Sequence, residues 1–496
     1  MSRIAARLAI EDTNVHRSLS SETEQAVLSA LKLANETDAV RYPGDSSERQ
    51  PVHTFYGGAH LFKSDSIGKL GQLAVKSMES YAPDFAGFAR TIRLPGSDKL
   101  PRSAKEVMRL ENRIAKDPSL FRDRHVPAWL AYSVYHRVIK KLSSEPIEDY
   151  RIDFEDGFGY RSDIEEDHEA MRTAVETALA MDKKALPPFF GIRIKSFSEA
   201  LKKRAIRTLD IYLTMLCEKT GGVLPENFVI ALPKVMSAEQ ISALVQILAE
   251  FEHRLRLPET SLKFEFMIET PQIIIGSNGR SVLPAIVAAG GGRCVAAHFG
   301  PYDYSSALGI ASSFQTLDHA SCDFARHMMQ VALAGTGVRI SDGAVHLIPV
   351  VPHRSGDKPL TSKQREENRE AVHAVWGSYF DLIRRSLAHG FFQSWDLHPG
   401  HLPIRYAAVY SFFLEGLEAA SSRLRSFIDK GTQASLSGQM FDDAASGQGL
   451  LNYFQRALNS GAIGEDELKK AGITPDEIRL KSFSEILTRR RSGKRP

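Results

Sequence analysis

Lys263-Phe-Glu-Phe-Met-Ile-Glu-Thr-Pro271 and Val295-Ala-Ala-His-Phe-Gly-Pro-Tyr-Asp303 are two short apolar runs, each followed by an acid. Apolar runs of this length read as strands buried on both faces, as in a parallel sheet. The acids, Glu269 and Asp303, stand about one strand–helix–strand repeat apart. That spacing sets two carboxylates side by side at the C-terminal ends of neighbouring strands. In a closed parallel α/β barrel this rim is where chemistry is done. Paired carboxylates there suit a hard divalent cation, Mg²⁺ or Mn²⁺, which takes oxygen ligands and leaves positions for substrate. Each acid also has a plainer reading, as a helix cap or a neutralising partner for Lys234 or Arg193.

Outward from these two runs, similar stretches recur at His53–Tyr56, Tyr150–Phe154, Phe189–Ile194, Phe228–Leu232, Val338 to about His346, and Phe392–Leu397, which makes eight candidate strands. Amphipathic stretches such as Ser237–Phe251 and Asp323–Ala334 lie between them. Strand alternating with helix at this period predicts a parallel α/β barrel over residues 51–427. The gap 57–149 is too long for one crossover, so it holds a helical insertion with helices expected at Ala104–Lys116 and from Pro127 to Leu142. The gap before the last strand, about 351–390, is also long and carries the polar stretch Arg354–Asn368. Residues 1–50 read as a polar extension with a helical stretch near Glu22 to Leu33. Beyond the barrel, Leu402 to Phe427 and Gly449–Leu458 are helical by pattern. Residues 428–496 read as a lid and helical appendix, with helix starts at Gly464 and Thr474-Pro475.

The chain has 496 residues, 43% of them hydrophobic and 25% charged, with a formal net charge of +3. So weak a net charge offers no global field to draw in nucleic acid. The basic run Arg489–Pro496 reads as a solvated tail. No stretch approaches the apolar length of a membrane span, and no signal-type apolar core follows Met1. Three cysteines without metal or redox spacing fit a reducing compartment. The expectation is a cytoplasmic protein.

Four further clusters fall at strand ends. In Arg151-Ile-Asp-Phe-Glu-Asp-Gly157 a strand that buries Ile152 and Phe154 on one face turns Asp153 and Glu155 into the barrel mouth, with Asp156 beside them. Three acids so close inside a buried segment need partners. In Gly191-Ile-Arg-Ile-Lys-Ser196, Arg193 lies between two isoleucines. A buried arginine faces a carboxylate or an anionic ligand, so Arg193 pairs with Glu155 or Asp153, binds a substrate carboxylate or enolate, or does both. Lys234, at the end of Ala231-Leu-Pro-Lys-Val235, either balances the acids or forms a Schiff base with a carbonyl substrate. His398, in Trp395-Asp-Leu-His-Pro-Gly-His401, is either a substrate or carboxylate contact or a satisfied core histidine. Gly300-Pro301 forces a tight turn before Asp303, and Gly300, Pro301 and Tyr302 are candidate substrate contacts.

In combination these motifs resemble the HpcH/HpaI aldolase, citrate lyase β-subunit and malyl-CoA lyase superfamily of phosphoenolpyruvate/pyruvate-type barrels, which neighbours malate synthase. The resemblance rests on Asp153-Phe-Glu-Asp156, Ile192-Arg-Ile194, Leu232-Pro-Lys-Val235, Ile268-Glu-Thr270, Phe299-Gly-Pro-Tyr-Asp303 with Ser305–Gly309, and Leu397-His-Pro399, in the family's order over about 150–400. It implies a TIM (β/α)8 barrel, here with a helical insertion after strand 1 and a C-terminal helical extension. It also implies Mg²⁺ (or Mn²⁺) held by Glu269 and Asp303, Arg193 at the substrate, and Glu155 or Asp156 in support. Gly438-Gln-Met-Phe-Asp442 is similar to the lid segment that in lyases of this family supplies an aspartate to a neighbouring subunit, which marks Asp442 and implies a homo-oligomer. The chain departs from the coenzyme A-using members in its first strand, Pro51-Val-His-Thr-Phe-Tyr-Gly-Gly-Ala-His60, which has no arginine and reads as ending in a Gly57-Gly58 turn. It looks most like a divergent bacterial branch of unassigned function.

The reading that follows is a metal-dependent carbon–carbon lyase or aldolase acting through the enolate of an α-keto acid or acyl substrate. The alternatives are a malate synthase-like Claisen condensation with acetyl-CoA, a Schiff-base aldolase at Lys234, and a non-catalytic oligomeric barrel.

Overall fold

Eight parallel strands form the sheet: β1 His53–Gly58, β2 Asp149–Asp153, β3 Phe189–Arg193, β4 Phe228–Leu232, β5 Lys263–Ile268, β6 Cys294–Phe299, β7 Arg339–Ser341 and β8 Ser394–Asp396. This computed structural model describes residues 18–491, apart from 45, 47, 356–357, 437–443 and 481. The hydrogen-bonded order is β7-β6-β5-β4-β3-β2-β1-β8. Across the remaining seam, the Asp342 N–H donates to the Gln393 carbonyl at 2.8 Å and the Trp395 N–H to the Gly343 carbonyl at 3.5 Å. The sheet thus curls nearly closed, with helices around it: a TIM (β/α)8 barrel.

Helices Asp163–Asp182, Lys202–Thr220, Ala238–Leu255, Leu283–Ala289, Ala320–Leu333, Ser362–Ala388 and Leu402–Leu436 follow β2 to β8 in turn. Strand side chains alternate between two environments, as the pleat requires. Those of Phe55, Tyr150 and Phe190 stack outside the sheet, with ring centres 5.9 and 6.2 Å apart along the row. The opposite face fills the barrel interior with charge. Arg151 on β2 reaches across to Glu265 on β5 with two hydrogen bonds of 2.8 Å and also holds Asp149. The Trp395 indole N–H donates to His298 Nδ1 at 3.1 Å. The His298 proton is therefore on Nε2, which lies 3.2 Å from Glu265. Although burial opposes its charge, Arg151 and His298 hold the Glu265 carboxyl well below the usual carboxylate range.

Between β1 and β2 lie helices Ser66–Tyr81, Phe85–Thr91, Ala104–Lys116, Pro118–Arg124 and Val126–Ser144. The last is the crossover and packs against Leu402–Leu436. Asp396 pins β8 to the outer shell: it accepts from His53 Nδ1 at 2.6 Å, from Arg405, and from the Tyr379 hydroxyl. C-terminal helices Ala444–Asn459, Glu465–Lys470, Pro475–Ile478 and Phe483–Arg491 complete the shell. Thr474 opens the third of these with a reciprocal capping box. No helix among the described residues is long and apolar enough to cross a membrane.

The structure corrects several expected boundaries. β7 and β8 are shorter than the sequence runs, ending at Ser341 and Asp396; the Asp342 and Asp396 side chains pair with Arg326 and Arg405 outside the barrel. Within the polar stretch Arg354–Asn368, a capping box at Thr361 starts a helix that runs from Ser362 to Ala388. The N-terminal helix runs Ser21–Arg41, beyond the Leu33 expected. Gly57-Gly58 is not a turn but the end of β1. Both glycines are there for close approach: a Cβ on Gly57 would strike the Tyr150 hydroxyl and one on Gly58 the Gly157 carbonyl.

Candidate active site

The alternation that turns Ile152 outward turns Asp153 into the C-terminal mouth, beside Arg193 in strand register. Asp153 accepts four N–H groups: Arg193 Nε at 2.7 Å, Arg193 Nη2 at 2.6 Å, Glu155 N at 3.0 Å and Gly157 N at 2.7 Å. Its lone pairs are fully used, so it fixes Arg193 in place. A Cβ on Gly157 would lie 2.5 Å from Asp153 Oδ2, which accounts for the glycine. The remaining guanidinium nitrogen, Nη1, lies 3.3 Å from Glu155 and 3.7 Å from Asp156. The guanidinium carbon sits 4.9 Å from the Tyr56 ring centre and 5.7 Å from that of Trp395, a cation–π seat.

Lys234 follows β4 in the left-handed region, φ 52°. That turn aims its backbone N–H at Glu269, whose Oε1 accepts it. The Lys234 ammonium is held by Glu155 and lies 3.6 Å from Asp156 and 3.5 Å from Asp303. Burial works against this charge, but Glu155 and Glu269 carry its pKa above the usual lysine range. Glu269 follows β5, and Asp303 is in the first turn of helix Pro301–Ala307 after β6. Gly300 lets the two approach, since a Cβ there would lie 2.5 Å from Glu269 Oε2. Glu269 is 2% exposed. Burial pushes its carboxyl up, Lys234 opposes this, and repulsion from Asp303 and Glu155 adds to it; the pKa is pushed up to about 8.

These groups open on a cavity of about 590 Å³ lined by Asp153, Asp156, Arg193, Glu269 and Asp303, with Gly300, Pro301, Tyr302 and His398. Its far wall is apolar and aromatic, including Leu61, Tyr302, Trp395 and Leu397. The structure thus brings together every sequence candidate except Asp442, which lies outside the described residues. His398 is at the rim, where its Nδ1 accepts the Gly400 N–H at 3.0 Å and burial lowers its pKa. The sequence reading missed Tyr56, Trp395 and His346 as wall residues; the His346 ring stacks on Tyr302 with centres 3.2 Å apart. The parity of β1 and β8 carried the signal for the first two, since Tyr56 and Trp395 alternate with the outward Phe55 and Asp396.

Among the described residues no group of three or more histidines, cysteines or acids is arranged to hold a metal ion. The pair Glu269 and Asp303 nonetheless fits Mg²⁺ or Mn²⁺ in donor chemistry, because such ions take hard oxygens and use one or two carboxylates beside the substrate's own. The Glu269 carboxyl is raised chiefly by burial, which Lys234 only partly offsets, so its charge is poorly stabilised by the chain alone.

The fold and site define a TIM barrel with an acid-rich cavity at its C-terminal mouth. The chain belongs to the family described as "Domain of unknown function (DUF6986)", whose model matches residues 7–486. A search of curated proteins found no match. Among solved structures the chain is similar to a citrate lyase from Burkholderia xenovorans LB400, with 16% identity, 68% of this chain and 92% of that one covered, and a TM-score of 0.46. It is similar also to the magnesium/glyoxylate complex of malate synthase from Haloferax volcanii, with 13% identity, coverage of 70% and 88%, and a TM-score of 0.38. An HpcH/HpaI aldolase/citrate lyase family protein from Burkholderia cenocepacia J2315 shares 14% identity, with coverage of 59% and 90% and a TM-score of 0.31. These are likenesses of fold.

Proposed function

We propose that the chain is a carbon–carbon lyase of the aldolase type, acting on a small keto acid through its enolate. The observation that carries this reading is the nest of Glu155, Asp156, Glu269 and Asp303 around Lys234 and Arg193 in one cavity at the barrel mouth. Glu269 and Asp303 would hold Mg²⁺ or Mn²⁺. Bound there, such an ion supplies Lewis-acid charge to the oxygens of a keto acid and its enolate.

The chain's own residues have distinct parts in this reading. Asp153 locks Arg193, so the guanidinium enters the reaction already oriented, and its charge faces the negative charge that develops on the substrate. Tyr56 and Trp395 cover Arg193 and exclude water from it. Lys234 stays protonated between its carboxylates, which suits electrostatic balance and not attack on a carbonyl. Of the three acids at and just beyond the end of β2, Asp153 is saturated and Glu155 is held by Lys234 and Arg193. Asp156, 63% exposed on the cavity side, is left to take and return the proton at its carboxylate. The apolar far wall would receive the electrophilic half of the product.

The test is exchange of the pyruvate methyl protons in D₂O, followed by NMR with Mg²⁺ or Mn²⁺, with EDTA, and with Glu269→Ala. Exchange that needs metal and is lost in the variant supports the reading. Exchange that survives EDTA, together with a lysine adduct trapped by borohydride, would replace it with the Schiff-base route. Demonstrated metal binding without exchange would point to a different nucleophile.

A further inference from the structure

The cavity at the barrel mouth is divided along the order of the strands. Its charged groups stand on one continuous arc: Asp153 at the end of β2, Arg193 at the end of β3, Lys234 after β4, Glu269 after β5 and Asp303 after β6. The other arc is β7, β8 and β1, neighbours through the seam and the β1–β8 pairing. It lines the cavity with Tyr56, Leu61, Ala344, Trp395, Leu397 and Pro399. Tyr56, Ala344 and Trp395 pack into one apolar cluster, with Tyr302 and Leu397 against it. The Tyr56 and Trp395 ring centres are 4.5 Å apart. Among the described residues no lysine, arginine, aspartate or glutamate lines this arc. Its two histidines are already engaged: His346 stacks on Tyr302, and His398 Nδ1 accepts the Gly400 N–H. Burial lowers the pKa of both.

Arg193 and Lys234, the cations at the mouth, both belong to the charged arc and both already face acids. Arg193 is locked on Asp153, and its remaining nitrogen faces Glu155 and Asp156. Lys234 is held by Glu155. A carboxylate or phosphate at the far end of a substrate would leave water for an apolar surface that offers it no cation, which is costly. An apolar body gains on the same surface, by about fourfold in affinity for each methylene it buries. The volume, about 590 Å³, is that of a small-molecule pocket.

We propose that the electrophile released at this site is an uncharged aldehyde with an apolar body, so that the compound cleaved carries one carboxylate, at its keto-acid end, and no charge at the other. This rests on the lyase reading above. In that cleavage the bond between C3 and C4 of a 4-hydroxy-2-oxo acid breaks, and its electron pair stays with C3 as the enolate. The C4 hydroxyl gives up its proton as the aldehyde carbonyl forms, and C3 takes a proton to give the free keto acid. Leu61 is the specificity residue at the rim of the apolar arc: it is 65% exposed, so a charge placed there would meet a substrate's tail without disturbing the packing beneath.

Binding reads this preference apart from catalysis. Isothermal titration of the full chain, with Mg²⁺ present, compares pyruvate, 2-oxooctanoate and 2-oxooctanedioate, none of which can be cleaved, for want of a C4 hydroxyl. 2-Oxooctanoate is expected to bind at least about tenfold more tightly than either of the others. Leu61→Arg is expected to narrow its lead over the dicarboxylate by about threefold, the worth of an exposed ion pair. A dicarboxylate bound as tightly as 2-oxooctanoate, or 2-oxooctanoate bound no better than pyruvate, would overturn the proposal. A lead that Leu61→Arg leaves unmoved would overturn the place given to Leu61. Pyruvate proton exchange on the same sample separates the two readings. Exchange without the preference removes this inference alone; the preference without exchange removes the lyase reading and leaves the recognition of apolar-tailed keto acids.

Discussion

Replacing Glu269 by glutamine tests the electrostatics of the mouth without reference to any substrate. In the folded chain the Glu269 pKa is pushed up from 4.5 to about 8. Between those two values the unfolded chain has released this proton and the folded chain keeps it. The folded state therefore binds more protons, and stability falls as pH rises through the window, with the loss complete above the folded value. At about 1.4 kcal/mol per pH unit the loss has a ceiling of about 5 kcal/mol. Asp303 is half-exposed, so solvent screens part of the repulsion, and the expected loss is about 2–5 kcal/mol. Glutamine is neutral throughout, so the difference between wild type and Glu269→Gln isolates this one group. Urea unfolding in metal-free buffer at about pH 5.5 and about pH 8.5 measures it. The wild type should lose up to about 3 kcal/mol relative to the variant between the two, since pH 5.5 already lies about one unit above the unfolded value. Mg²⁺ added at the higher pH should restore the wild type and leave the variant unmoved, because a cation bound to the folded state stabilises it. A wild-type-minus-variant difference that is flat to within about 0.5 kcal/mol would refute the crowded-carboxylate account.

Asp153→Asn leaves a buried guanidinium without its paired acceptor and should lower stability by about 3–5 kcal/mol, read from the urea midpoint; a loss below about 1 kcal/mol, the worth of an exposed pair, would mean that Arg193 is not held as described. Gly300→Ala meets no backbone objection, since φ is −109°, but its Cβ would stand 2.6 Å from Glu269 Cβ. It should cost about 1–3 kcal/mol by overpacking and lower metal-dependent pyruvate exchange by about 100-fold through displacement of the carboxylate; a variant with wild-type exchange would show that the close approach does not matter.

Where both faces of a strand are buried, the strand writes itself into the sequence as a plain apolar run, and β4 to β6 occupy the residues expected of them. The same logic overreaches at β7 and β8, where pairing stops at Ser341 and Asp396, short of the apolar runs, because its extent is set by the neighbouring strands and not by the local run. Gly57-Gly58 misled for a related reason. Glycine pairs commonly turn a chain, and only the Tyr150 hydroxyl and Gly157 carbonyl across the sheet show that these two sit in a strand. The candidate acids at the mouth were legible because each follows an apolar run. The pairings among them were not, since Asp153 with Arg193 and Lys234 with Glu155 are contacts between strands far apart in the chain.

Glu265 and Glu269 bring this out within one strand. They project to the same side of β5 and its continuation, both are buried, and both carry the same chemical group. Glu265 meets a bidentate guanidinium and the Nε2–H of His298 and is held well below its ordinary pKa. Glu269 meets one amide N–H, a lysine shared with other acids, and two further carboxylates, and it is pushed up. Burial penalises the charge of both; the partners of Glu265 outweigh that penalty, and those of Glu269 do not. A carboxylate matched deep in the barrel gains nothing from a ligand, whereas one left unmatched at the mouth gains from any cation or proton that arrives. In the proposed function that asymmetry, and not the mere presence of acids, is the reason to look for the chemistry at Glu269's end of the strand and to give Glu265 a supporting role.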